Sequence, residues 1–181
     1  MREIALHILD LIENSIRAQA SVISVSVEAD PKTDTLRLAV EDNGTGLKVT
    51  PEEALDPFYT TKSGKRTGLG LSLFREAAER AGGRLSLEKS ALGGVAVSVE
   101  MRLTHIDRTP LGDLAATLSS VVCTHPEIDF RFRLQSGDRR VEWRVFDLAA
   151  KLGIDPHDGL ALAQNLIEVI GAELQSSDLL R

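Results

Sequence analysis

The 181-residue chain has one cysteine, two methionines and only 4% aromatic residues. A single thiol, Cys123, excludes an internal disulfide and a cysteine-based zinc site, and its apolar neighbours Val121 and Val122 mark it as core filler. So few aromatics exclude a base-stacking platform for single-stranded nucleic acid. The net charge of −6 argues in the same direction, against nucleic acid and against anionic membrane surfaces. No apolar run approaches the roughly 20 residues of a membrane span. The amino terminus has Glu3, His7 and Asp10 where a signal peptide would stay apolar, so a cytoplasmic protein is expected.

What remains is the composition of an ordinary globular protein, 43% hydrophobic and 27% charged. Ile4, Ile8, Leu11, Ile12, Ser15 and Ile16 recur at steps of three and four, which predicts a helix over Glu3 to Ala18. Val22 to Ala29 and Thr35 to Asp42 alternate with period two on either side of a Pro31–Asp34 turn, which predicts a hairpin. A second helix is expected from Leu69 to Ala81, stopped by Gly82-Gly83, then strands over Arg84–Ser90 and Val95–Leu103. The order α-β-β-α-β-β suits an α+β, two-layer sandwich with a mixed sheet and helices on one face. After a linker, Thr104 to Pro110, the pattern continues with a helix (Leu111 to Val122), strands over Ile128–Gln135 and Arg139–Val145, and a helix from Gly159 to Leu174. Residues 1–103 are therefore expected to form one domain and 111–181 a small C-terminal α/β extension.

Three polar constellations interrupt this framework. Asp10 and Asn14 stand four apart and share a side of the first helix, and Glu13 and Arg17 form a second pair at that spacing. Taken alone, these are an ordinary solvated helix face with an ion pair worth a few tenths of a kcal/mol. Asp42 shares the inward parity of Leu36, Leu38 and Val40, so its carboxylate faces the core and needs donors. Gly44 and Gly46 beside it let backbone approach something flat and close, although Asp-Asn-Gly is also a common turn. Between Thr60 and Leu71, hydroxyls, the cations Lys62, Lys65 and Arg66, and the glycines Gly64, Gly68 and Gly70 lead into a helix amino terminus. That equipment holds phosphates, yet the string matches neither a P-loop nor a dinucleotide fingerprint.

Taken in order, these stretches resemble the GHKL superfamily, the histidine kinase-like ATPases that include gyrase-type topoisomerases and Hsp90-type chaperones. Leu9-Asp10-Leu11-Ile12-Glu13-Asn14-Ser15 resembles the N box, and Asp42-Asn43-Gly44-Thr45-Gly46 the first glycine box. Asp56-Pro57-Phe58-Tyr59-Thr60-Thr61-Lys62 resembles the F box, and Gly68-Leu69-Gly70-Leu71 the second glycine box. The resemblance covers about the first hundred residues and implies a Bergerat-type ATP-binding fold with ATP and Mg²⁺ as cofactors. It implies Asn14 as the Mg²⁺ ligand, Asp42 as acceptor for the adenine amino group, and Gly44 and Gly46 along adenine and ribose. Thr61, Lys62, Lys65 and Arg66 would lie in the lid, with Gly68, Leu69, Gly70 and Leu71 under the phosphates. Asp10, four before the Asn, takes the position of the general base in the hydrolysing branches, where histidine kinases usually have Asn; Glu13 is assigned a supporting role.

Two departures stand out. The lid, Tyr59 to Thr67, is short, and Gly93-Gly94 stands where the family often has Gly-Thr, which predicts modest nucleotide affinity. The N-box helix begins almost at Met1, so no helix pair carrying a phosphorylatable His precedes it in this sequence, and autophosphorylation in cis is not expected. The leading functional expectation is a nucleotide-dependent switch with slow hydrolysis that regulates an unidentified protein partner. The alternatives are a protein kinase acting in trans on Ser or His of a partner, and a non-catalytic interaction domain with a decayed site. ATP or ADP, a regulatory protein and optionally a second copy in a homodimer are the expected partners.

Overall fold

The computed structural model describes residues 3–47, 49–55 and 69–177. Among them the chain order is α1 (Ile4–Arg17), β1 (Val22–Asp30), β2 (Thr35–Asp42), α2 (Pro51–Ala54), α3 (Leu69–Arg80), β3 (Arg84–Lys89) and β4 (Val95–Arg102). There follow α4 (Leu114–Thr124), β5 (Asp129–Ser136), β6 (Arg139–Arg144), α5 (Val145–Leu152) and α6 (Gly159–Ser176). The strands form one mixed sheet in the order β3-β4-β2-β1-β5-β6.

Alternation along each strand sorts the sheet into two unlike faces. Val25, Val27, Leu38, Val40, Val97, Val99, Phe130, Phe132 and Leu134 are all buried; α1 packs against β2 and α3 against β3 and β4, and α4 packs in turn against α1. The intervening residues carry a cross-strand row in which Arg84, Glu100, Arg37 and Glu28 lie opposite one another in turn. Arg37 and Glu100 approach to 3.0 Å, and Arg84 and Glu100 to 3.9 Å. Such exposed pairs add little stability, but alternating signs keep this side solvated and explain why helices cover one face.

The C-terminal extension continues the same sheet. β5 runs parallel to β1, with Val25 opposite Phe132, and β6 closes the edge antiparallel to β5. α4 packs against α1 and α6 against α4, so Leu118, Leu162 and Leu166 belong to one apolar cluster with Ile8, Ile12 and Phe74. The linker is fastened to α1, whose first amides donate to its carbonyls (Ile4 N to Pro110 O and Ala5 N to Leu111 O, both 2.9 Å).

Element boundaries differ from the sequence reading where caps intervene. α4 starts at Leu114 because the Asp113 side chain accepts from Ala116 N. Cys123, expected as core filler, is instead exposed near the end of α4, on the side away from buried Val121 and Val122. Val145, read as strand, opens the unforeseen helix α5, which ends at Gly153 in the left-handed conformation (φ 67°). α2, also unforeseen, carries a capping box between Thr50 and Glu53.

If the extension and the first hundred residues share one core, they melt together. Phe132→Ala is expected to cost about 3–5 kcal/mol and to lower a single calorimetric transition, whereas two separable transitions would show independent units.

Candidate functional site

The site is built where the Asp42 end of β2, the start of β4 and the helices α1 and α3 converge. Asp42 ends its strand facing the helix layer and is only 5% exposed. Its Oδ2 accepts from Ser15 Oγ at 2.7 Å, and its Oδ1 accepts from Gly44 N at 2.9 Å and Val95 N at 3.2 Å. A carboxylate has about four lone-pair sites. Three donors therefore hold it rigidly and leave capacity for one more, which is the requirement for reading an exocyclic amine.

The glycines around it serve close approach. A Cβ on Gly44 would lie 2.7 Å from Ala18 O, where the strand exit folds over the end of α1 and Thr45 N donates to the same carbonyl. Gly46 adopts φ 77°, a conformation costly for other residues. Asn43 is architectural: its Oδ1 accepts from both Ser21 N and Val22 N at 2.9 Å, fixing the entry to β1. A Cβ on Gly94 would fall 2.1 Å from Asp42 Oδ1 and 2.6 Å from Gly44 N. The departure noted at Gly93-Gly94 thus has a local reason, because backbone at 94 packs directly on the Asp42 carboxylate.

On α1, Asn14 and Asp10 lie one turn apart as their spacing requires. Asn14 Oδ1 accepts from Arg17 Nη2, and Arg17 also pairs with Glu13 at 3.4 Å, an exposed ion pair at the i,i+4 spacing. Asp10 reaches across to α3, where its carboxylate lies against Gly70. Leu69 opens α3 and Leu71 packs on the core. Thr61, Lys62, Lys65, Arg66 and Gly68 lie outside the described residues.

No group of three or more His, Cys, Asp or Glu is placed to hold a metal among the described residues. Asn14 fits Mg²⁺ in a different manner: one hard oxygen donor suits an ion that keeps most of its shell as water and phosphate oxygen. The Arg17 contact would have to yield to such an ion. A separate hollow of about 210 Å³, lined by Glu28, Asp30, Lys32, Arg37 and Asp138 among others, lies toward the opposite end of the sheet and shares nothing with the Asp42 site.

Two contributors escaped the sequence reading. Ser15 was counted in the apolar stripe of α1; a hydroxyl on that stripe facing an inward Asp is itself the signal. Val95 contributes only its amide, which no side-chain motif reports.

His7 lies one turn before Asp10. It is 2% exposed, stacks on Phe74 of α3 (ring centroids 4.5 Å apart, 9° between planes), and neither ring nitrogen has a hydrogen-bond partner. Burial, chiefly, pushes its pKa down to about 4, against an opposing pull from Asp10.

The match to known proteins agrees with this geometry. Residues 2–105 match the family described as histidine kinase-, DNA gyrase B- and HSP90-like ATPase. The chain belongs to that family, and these residues are its ATP-binding domain. It is 37% identical over 96 residues to the sensor protein kinase CarS of Pseudomonas aeruginosa, covering 52% of this chain and 21% of that protein. It is 31% identical over 100 residues to the signal transduction histidine-protein kinase BaeS of Escherichia coli, with 52% and 21% covered. The chain thus spans about a fifth of the length of these curated relatives. Among solved structures, the ATP binding domain of PrrB from Mycobacterium tuberculosis is similar at 25% identity and a TM-score of 0.42, covering 54% of this chain and 64% of that one.

Two expectations follow. The unfolded chain takes up a proton on His7 near pH 6.5, which the folded chain refuses until about pH 4. Stability associated with neutral His7 is therefore complete above pH 6.5 and falls by about 3 kcal/mol as pH drops through that window. Urea melts of wild type and His7→Leu across pH 4–7 should show a steeper loss of stability toward low pH in wild type, the difference between the two slopes being the His7 contribution. Gly94→Ala should displace the Asp42 carboxylate and weaken ATP binding at least about tenfold, roughly the 1.4 kcal/mol of one lost charged hydrogen bond, read by calorimetric titration.

Proposed function

We propose that this chain binds ATP with Mg²⁺ and acts as a nucleotide-dependent switch, hydrolysing ATP slowly and regulating a partner protein according to the nucleotide bound. The observation that carries this reading is the Asp42 carboxylate, buried at a strand end, held by three donors and retaining one acceptor position. Adenine offers the matching N–H donor. Asn14 would hold the ion, which would offset charge on the phosphates. Asp10, one turn before Asn14 on α1 and against Gly70 of α3, is the carboxylate assigned here to the γ-phosphate. In that position it accepts the proton of a water whose oxygen bonds to the γ-phosphorus, while the bond from that phosphorus to the β–γ bridging oxygen breaks and ADP leaves.

A second reading is phosphotransfer in trans, with a Ser or His of a partner in place of the water. It is favoured by the similarity to proteins named as sensor kinases. By their motifs, Lys62, Lys65, Thr61 and Gly68 are the residues assigned to the phosphates in either reading. Among the described residues no helix is long and apolar enough to cross a membrane.

Calorimetric titration with ATP and Mg²⁺ decides the shared core of both readings. Wild type should bind, and Asp42→Asn should bind about 10- to 100-fold more weakly, the range for a hydrogen bond to a charged group. A wild-type protein with no binding and no shift in melting temperature would instead fit a decayed site. Labelled γ-phosphate released only as free phosphate in the presence of partners would support the switch, and label on a partner would support the kinase.

A further inference from the structure

We infer that Gly70, in the first turn of α3, is a positioning residue that seats the Asp10 carboxylate, so that its lack of a side chain serves the acid as well as any phosphate. This rests on the proposed role of Asp10. A Cβ built on Gly70 would fall 1.7 Å from Asp10 Oδ2, 2.7 Å from its Cγ and 3.4 Å from Oδ1. The carboxylate therefore occupies the space that any side chain at 70 would fill. Gly70 is not among the glycines with positive φ, so its backbone does not demand glycine, and the demand is one of space.

The seat is framed by a second contact. His7, one turn before Asp10, stacks on Phe74, one turn after Gly70, so the two helices meet in antiparallel register at two successive levels. The stack sets the height of α1 against α3, and Gly70 opens the gap into which the carboxylate reaches. Asp is one methylene shorter than the Glu that other acids at such a position could supply, so an adjacent surface without a side chain is what brings it to α3. The amino-terminal turn of a helix also favours a carboxylate.

Gly70 and Gly94 differ in what a methyl group would displace. At Gly94 it meets the backbone nitrogen of Gly44, which has nowhere to go; at Gly70 it meets only the end of the Asp10 side chain, which can rotate away. Gly70→Ala should therefore fold, with the acid expelled from its place.

The test is a double-mutant cycle of Gly70→Ala and Asp10→Ala on the full chain. Without nucleotide, Gly70→Ala should raise the melting temperature in the Asp10→Ala background, because Ala is the better helix former. In wild type that gain should be absent, because the carboxylate must move. With saturating ATP and Mg²⁺, Gly70→Ala should lower the turnover of bound ATP about 10- to 100-fold, as for a catalytic group misplaced by an ångström. The double variant should be no slower than Asp10→Ala alone. Additive melting-temperature shifts would overturn the seat. So would a Gly70→Ala variant that loses ATP affinity while turning over bound ATP at the wild-type rate. A wild-type protein that fails to bind ATP would refute the proposed function, and the nucleotide-free arm would still decide whether Gly70 seats Asp10.

Discussion

A carboxylate buried at the end of a strand is the constraint around which the first hundred residues are arranged. Left alone, the Asp42 side chain would be costly in that position. Its three donors come from three separate pieces of chain: a hydroxyl on α1, the amide of the glycine two residues on, and the first amide of β4. Satisfying it therefore ties α1, the exit of β2 and the entry of β4 to a common point. Gly44 and Gly94, both beside Asp42, are places where the backbones come too close for a side chain. The group proposed to read adenine is thus also a folding constraint.

The α1–α3 contact is the second organising feature and has the opposite character. It places two titratable side chains, His7 and Asp10, one turn apart against Phe74 and Gly70. His7 is held neutral by burial, which makes the interface apolar at one level, while the carboxylate at the next level faces the amino-terminal turn of α3. The helix pair is thus apolar at one level and polar at the next.

The C-terminal third contributes strands rather than site residues. By pairing β5 in parallel with β1, it converts what would be an exposed sheet edge into an interior position, and unpaired strand edges invite association. The carbonyls of Pro110 and Leu111, which accept from the first amides of α1, and the packing of α4 on α1 connect this third to the helix that carries Asp10 and Asn14.

Much of this was legible in the residues alone because it is periodic or local. Period two put Asp42 on the inner face, period 3.6 put Asp10 and Asn14 one turn apart, and the capping box at Thr50 and Glu53 was readable although it was not read. Ser15 stood in plain view on the apolar stripe, its partner unknown until α1 was laid over β2. The rest depended on segments distant in sequence. Gly94 and Val95 reach Asp42 across 52 and 53 positions, Gly70 reaches Asp10 across 60, and β5 finds β1 across about a hundred. Side-chain periodicity specifies which face of an element is buried, so the sequence by itself determined the elements, their faces and the order of the nucleotide motifs. Which buried faces meet is a matter of packing between those elements, and only the tertiary structure decided what holds Asp42, what seats Asp10 and where the last third of the chain is attached.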